Sequence, residues 1–523
     1  MLRFFRVFVA LVCFLAITSL FIDVTGFAAT HLGWLVKYQL VPALLSLNFV
    51  AIVVLVLVTF VFGRVYCSVL CPLGVLQDII SRIRIWLSGK KRRKIGLFHY
   101  RKASSAVRYG VLGLFVMLLV LGFSNLLATS LAALIEPYSA YGRIASGVFA
   151  PVADGLYNSA AEWEAAHDSY WLLPLARTSS HVISIVGVVT LVVVGLCAIL
   201  YGRGYCNTVC PVGTVLGLIS RKSLMRISID KSKCNGCASC ARHCKGECID
   251  ARNHAIDYSR CVACMDCTGH CRQGAIKYTL SFKKGSCAPV VKPQENTVKA
   301  KEAPASVDKN RRMFLAISGI ATGAVLAKAT EKVTDGGLTP LKAKSTHKRL
   351  TRIVPPGAVS LDNLSAKCVA CQLCIQACPN GIIKPSMEVE SFMQPVLDFS
   401  NGYCTPECTR CSEVCPTGAI KPVDEPLKSS LKIGTAVVDP DLCLSATEGT
   451  DCGNCERHCP TGAVQLFWSN DDPDDNRAIP VVQENLCIGC GACEYHCPVG
   501  TVESMKANVA AIHVEGASQQ RTI

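Results

Sequence analysis

Cys487-Ile488-Gly489-Cys490-Gly491-Ala492-Cys493-Glu494-Tyr495-His496-Cys497-Pro498 follows the spacing C-x2-C-x2-C-x3-C-P, and Cys368, Cys371, Cys374, Cys378 with Pro379 repeat it. In bacterial two-cluster ferredoxins this run places three thiolates on one tight loop around a [4Fe-4S] cube, and the fourth reaches the neighbouring cluster. Quartets of this kind are therefore expected to work in pairs. Cys234, Cys237, Cys240, Cys244 and Cys261, Cys264, Cys267, Cys271 form another pair, with no proline after either final cysteine. A spare Cys248 competes with Cys244 as a fourth ligand, and the regular spacing favours Cys244. Two looser quartets, Cys404, Cys408, Cys411, Cys415 and Cys443, Cys452, Cys455, Cys459, each end in C-P-T-G-A. Since 24 of the 32 cysteines fall into these six quartets, six [4Fe-4S] clusters are the expected cofactors. Zinc suits a single four-cysteine site but does not require this run six times. Disulfides are disfavoured because cysteines two residues apart rarely reach disulfide geometry.

The 523-residue chain is 51% hydrophobic, with its apolar residues gathered near the N-terminus. Four stretches, about 7–22, 40–62, 106–128 and 181–201, approach the ~20 apolar residues that cross a bilayer. The first reads as an anchor rather than a cleavable signal, because a second apolar stretch follows closely. Lys90, Lys91, Arg92, Arg93 and Lys94 lie between the second and third stretches, whereas residues 129–177 hold two basic and five acidic side chains. The positive-inside rule then puts both ends of this unit in the cytoplasm. Topology and lipid head groups account for the basic run, so no nucleic-acid partner is expected. The net charge of +15 hides an acidic C-terminal part, since residues 361–523 carry 21 acidic against 10 basic side chains.

A repeat marks the membrane edge. Phe62-Gly63-Arg64-Val65-Tyr66-Cys67-Ser68-Val69-Leu70-Cys71-Pro72-Leu73-Gly74 recurs as Tyr201-Gly202-Arg203-Gly204-Tyr205-Cys206-Asn207-Thr208-Val209-Cys210-Pro211-Val212-Gly213. A pseudo-twofold arrangement of two hairpins would bring Cys67, Cys71, Cys206 and Cys210 together as a further, seventh metal centre. The plainer reading is a pair of helix caps with packed thiols. Cys13 and Cys197, alone in apolar stretches, are expected to pack.

The expected fold is a membrane α-helical four-span bundle plus α+β ferredoxin-like [4Fe-4S] domains. Residues 1–222 form the four-span domain with its two C-x3-C-P repeats, and 223–280 a cytoplasmic two-cluster domain. Residues 281–310 read as a linker rich in Lys, Pro, Ala and Val. Residues 311–330, opening on Arg311-Arg312, look like an internal twin-arginine export or anchor segment, and Ala327-Lys328-Ala329 resembles a processing site. Residues 331–523 form an outer-face four-cluster domain.

With four spans, two G-R-x-Y-C-x3-C-P motifs and a two-cluster unit, residues 1–280 resemble the NapH-type membrane subunit of periplasmic nitrate reductase systems. Residues 305–523, with Arg311-Arg312 and four quartets in this order of gaps, resemble its NapG-type partner. The resemblance implies a natural fusion in the bacterial inner membrane that oxidises (mena)quinol from the quinone pool. Electrons would pass to a periplasmic reductase or a multihaem c-type cytochrome, with a cytoplasmic electron donor as a further partner. It also implies nested ligation, in which Cys368, Cys371, Cys374 and Cys497 share one cluster and Cys487, Cys490, Cys493 and Cys378 its partner. Cys404, Cys408, Cys411 with Cys459, and Cys443, Cys452, Cys455 with Cys415, would hold the other two. Pairing in sequence order is the alternative.

Quinol oxidation needs a proton acceptor, and Asp23, His31, Glu136 and His181 lie near the outer ends of the apolar stretches. Glu136 and His181 are the quinol-site candidates. Related four-span proteins with C-x3-C-P motifs supply the rival reading, a maturation or regulatory factor that reduces a metal or disulfide. No nucleotide, flavin or molybdenum motif stands out, which puts chemistry on the final substrate on another subunit.

Overall fold

The computed structural model describes residues 2–23, 27–88, 97–121, 126–167, 172, 181–280, 344–468, 477–500 and 509–523, with a strand pair at Thr334–Asp335 and Thr339–Pro340. The linker 281–310, the twin-arginine-like segment 311–330 and the basic run Lys90–Lys94 lie outside the described residues. The N-terminal part contains α1 (Leu2–Ile22), α2 (Phe49–Phe62), α3 (Pro72–Leu87), α4 (Ser105–Leu121), α5 (Leu126–Ile135), α6 (Pro137–Ile144), α7 (His181–Tyr201) and α8 (Pro211–Ser220), with a further helix at Ala150–Ala165 and shorter helices and turns between them.

The four-span bundle is not what forms. Among the described residues, α1 and α7, each of 21 residues, are the helices long and apolar enough to cross a membrane. At ~1.5 Å per residue they match the ~30 Å hydrocarbon layer. The stretch expected as a second span breaks at Leu47, whose φ is +55°. Asn48 then caps a new helix by accepting from Ala51 N at 3.1 Å, leaving α2 only 14 residues. A capping side chain offers the backbone an alternative to continuing the helix. The third, α4, has 17 residues. All four helices nonetheless turn large apolar side chains outward, among them Phe8, Leu57, Val120 and Val193. An exposed apolar surface of this extent is consistent with membrane association.

Helix α7 is held close by small residues. A π-helical turn at Ala145–Phe149 lies against it, and a Cβ on Gly147 would stand 2.3 Å from Ile183 O, as one on Gly187 would stand 2.6 Å from Arg143 O. Such contacts let two backbones approach where larger side chains would hold them apart.

Two cluster-type bodies follow. In the first, β1 (Met225–Ile229) pairs antiparallel with β2 (Ile276–Leu280). In the second, β3 (Leu431–Val438) and β6 (Ile512–Thr522) pair antiparallel, as do β4 (Val464–Trp468) and β5 (Ala478–Val482). They dock at different ends of α1. At its first turn, Arg3 Nε meets Asp266 Oδ1 of the first body at 2.9 Å. Near its last turns, Phe14 and Phe21 pack edge-on against Tyr141 of α6, and α6 carries the second body: Ser139 donates to the carbonyl of Val369, and Gly142 lies against the carbonyl of Cys371.

The first docking contact is a buried ionic knot. Asp78 of α3 accepts from Arg203 Nε at 2.9 Å and pairs with Arg6 Nη2 at 3.1 Å, while Lys245 Nζ lies 3.6 Å from Asp78 and 3.0 Å from Asp266. Lys245 stands where proline follows the last cysteine of other quartets, so this departure from the ferredoxin pattern serves docking. Burial alone would raise the Asp78 carboxyl, but Arg203, Lys245 and Arg6 hold it well below the ordinary carboxylate range. A lowered folded-state value means its stabilisation is present above about pH 4 and lost as pH falls through that value. Asp78→Asn strands the buried Arg6 and Arg203, while Lys245 keeps Asp266, and should cost about 3–5 kcal/mol, read as a fall in melting temperature at pH 7 that shrinks in acid.

Candidate metal centres

The cluster loops share a backbone that cysteine spacing alone does not dictate. Gly236 and Ala238, Ala263 and Met265, Ala370 and Gln372, and Gly489 and Gly491 all have φ between 50° and 80°. Each C-x2-C-x2-C run thus carries two left-handed residues, a conformation that turns successive N–H groups into a concavity suited to an anion such as an iron-sulfur cluster. The strain of a left-handed Ala, Met or Gln is tolerated at functional loops. In the looser quartet, Thr409 has an ordinary φ of −111°, and the longer first gap takes up the turn.

Four cavities of 340 to 390 Å³ of free space are ringed by cysteines. Cys368, Cys371 and Cys374 face Cys415; Cys404, Cys408 and Cys411 face Cys378; and Cys443, Cys452 and Cys455 face Cys497. Cys487, Cys490 and Cys459 are the thiols that raise Cys493, after burial itself. The four quartets therefore exchange last cysteines in sequence order, first with second and third with fourth. The nested pattern is overturned, because each fourth cysteine reaches the quartet beside its own in the sequence, Cys378 going forward and Cys415 and Cys497 back. Among the described residues no three ligating side chains converge on one point as a single ion requires. Thiols spread around equal cavities, with N–H groups behind them, fit a cube.

In the first body, Cys261, Cys264 and Cys267 share their cavity with both Cys244 and Cys248. The Cys244 and Cys248 sulfurs are 3.5 Å apart. By internal register Cys248 occupies the place of Ala275, Ala419 and Ala463 in other quartets, leaving Cys244 in the ligand position.

The two C-x3-C-P repeats also meet. Arg64 Nη2 donates to Cys206 O at 3.4 Å and Arg203 Nη1 to Cys67 O at 2.6 Å, each repeat's arginine reaching the other's first cysteine. Cys71 N bonds Tyr66 O, and Cys210 N bonds Tyr205 O, both at 3.0 Å. All four cysteines are buried, and Cys67, Cys71 and Cys210 each bear on Cys206 or are felt by it electrostatically.

The two quinol-site candidates part company. Glu136 is buried, caps α6 by accepting from Ser139 N, and lies near Arg143. Burial raises its carboxyl, against the lowering effect of the Ser139 and Tyr138 N–H groups. His181 is exposed at the first residue of α7. Tyr138, which sequence reading missed, is buried with no hydrogen-bond partner for its hydroxyl among the described residues, and Cys371 and Glu136 both bear on it. Its place next to Glu136-Pro137 was the available signal. Of the others, Asp23 accepts from Ala29 N and His31 is exposed against Phe27.

Residues 45–94 and 181–230, each holding one C-x3-C-P pair, match a protein family described as 4Fe-4S binding domain. Residues 367–419, 403–463 and 448–501 match a 4Fe-4S dicluster domain. The chain is similar to ferredoxin-type protein NapH of Haemophilus influenzae, 30% identical over 201 residues, 38% of this chain and 54% of that protein. It is similar to the methylamine utilization ferredoxin-type protein MauN of Methylobacillus flagellatus, 26% over 183 residues, 35% of this chain and 48% of that protein. An uncharacterized protein of Methanocaldococcus jannaschii is 24% identical over 223 residues, 42% of this chain and 67% of its own. The chain spans about half the length of the NapH and MauN relatives it matches. No solved structure matches. The chain thus carries segments that match 4Fe-4S binding and dicluster domains, and is similar to the ferredoxin-type proteins NapH and MauN over somewhat more than a third of its length.

Cys368→Ser and Cys415→Ser should remove the same EPR signal, with the double variant losing no more iron than either alone, whereas Cys497→Ser should remove a different one. A signal shared by Cys368 and Cys497 would restore the nested pattern.

Proposed function

We propose that this protein is a membrane-anchored component that oxidises (mena)quinol and passes electrons to an outer-face reductase or multihaem cytochrome. It combines a NapH-like part, residues 1–280, with a NapG-like part, residues 305–523. The observation that carries this reading is the docking of the two cluster bodies at different ends of α1, a helix of bilayer length, with Glu136 and Tyr138 buried beside Cys371.

The proposed organisation puts a membrane domain at 1–222, a cytoplasmic two-cluster domain at 223–280, a linker at 281–310, an export-like segment at 311–330 and a periplasmic four-cluster domain at 331–523. The cluster ligands are the 24 quartet cysteines, with fourth ligands exchanged in sequence order. Clusters there would supply one-electron acceptors to a two-electron donor. The chain's own residues divide the remaining work. Glu136 is the buried carboxylate that takes a quinol proton, Arg143 keeps a cation near it, and the Tyr138 hydroxyl is free to orient a quinol oxygen. His181 stands at the same end of the protein, exposed, as an outlet for protons. The acidic surplus of residues 361–523 favours a partner with a basic docking patch.

Stopped-flow reduction of the cluster-loaded protein by a menaquinol analogue tests this reading. Rapid bleaching of iron-sulfur absorbance is expected, slowed about 100-fold or more in Glu136→Gln with cluster content unchanged. Silence towards quinol, with ready reduction by a thiol or cytoplasmic ferredoxin, would favour the maturation role.

A further inference from the structure

We propose that Cys67, Cys71, Cys206 and Cys210 together hold one further [4Fe-4S] cluster, two ligands from each repeat, set between the inner and outer cluster groups. This deepens the reading above in resting on an iron-sulfur electron-transfer protein, and it is independent of quinol as the donor.

Three observations carry it. The first is that N–H groups are aimed at all four sulfurs. Gln77 Nε2 lies 3.2 Å from Cys206 Sγ, Gly213 N 3.3 Å from Cys210 Sγ and Arg64 Nη2 3.8 Å from Cys67 Sγ, while the Gly74 N–H is directed at Cys71. Thiols that merely pack need no such donors, whereas sulfurs carrying charge are stabilised by them.

The second is charge. Arg64 and Arg203 are both fully buried. Asp78 answers Arg203, but the position equivalent to Asp78 in the second repeat is Gly217. Arg64 therefore donates to Asn207 Oδ1, Ser259 O, Cys67 Sγ and Cys206 O, with no carboxylate among the described residues. A buried guanidinium whose hydrogen-bond partners are all neutral is strongly unfavourable, and Arg64 acts both on Cys206 and on Cys261 of the inner group. A [4Fe-4S] core with four thiolates is a net anion, and one held at Cys206 would place negative charge directly beside Arg64.

The third is position. Cys67, Cys71 and Cys210 belong to one continuous packed core that also contains Cys264 of the inner group and Cys371 of the outer group. The motif tyrosines extend from the site towards the outer segments of each half: Tyr66 donates to Gln39 Oε1 at 2.6 Å and Tyr205 to Ile135 O at 2.7 Å. A cluster here would take one electron from a reduced cluster on one side and give one to an oxidised cluster on the other, with no proton or group transferred.

The test uses full-length protein prepared without oxygen and titrated with dithionite, so that failure of the quinol reading leaves it unaffected. Relative to wild type, Cys67→Ser/Cys206→Ser should lose about four irons per chain and one reversible couple in redox-monitored EPR, the other signals keeping full intensity. Gln77→Leu, which copies Leu216 of the second repeat, should keep all its iron and lower the potential of that couple alone. Full iron and an unchanged set of couples in the double variant would overturn the proposal. Should the double variant fail to assemble, a Gln77→Leu protein with every potential unchanged would overturn it as well.

Discussion

Asp78 is the constraint on which the arrangement depends. One carboxylate, buried with Arg6, Arg203 and Lys245, joins the start of α1, the end of α7's hairpin and the first cluster body. Hydrophobic packing alone would let these elements slide, because apolar helices in an apolar medium gain little from one particular register. Ion pairs removed from water are satisfied only in one geometry, since a displaced partner leaves a bare charge behind. The knot thus fixes where Cys264 sits relative to the two C-x3-C-P loops.

At the other end the attachment has a different character. Ser139, Gly142 and Tyr138 present small or hydroxyl-bearing side chains to the Cys368–Cys374 loop, and backbone meets backbone at Cys371. Close approach of this kind shortens the gap between the helical part and the cavity of Cys368, Cys371, Cys374 and Cys415. The two attachments together make α1 a spacer with a cluster body at each end and the two repeats between.

Much of this was legible beforehand. Cysteine spacing pointed to the loops that ring the four described cavities, and the duplicated motif to the two repeats whose arginines reach each other's first cysteine. What escaped has physical reasons. Hydropathy could not see that Asn48 would cap a helix within an apolar run, which reduced the long spans to two. Spacing says that a fourth cysteine reaches another cluster but not which one, as that depends on where each short helix points. Lys245 looked like a defect in a ferredoxin motif until its partners Asp78 and Asp266 were in place. Tyr138 had only its place beside Glu136-Pro137 to mark it, for its significance lies in a neighbour more than 200 positions along the chain.

The claim that most needs measurement is that one chain sets its cluster bodies on opposite faces of a membrane. Cryo-electron microscopy of the full-length protein in lipid nanodiscs, prepared without oxygen, addresses it directly. The account predicts strong density in the cavity of Cys261, Cys264, Cys267 and Cys244 on one face of the disc, and in that of Cys368, Cys371, Cys374 and Cys415 on the other. Both bodies on the same face, or α1 lying along the surface of the disc, would contradict it.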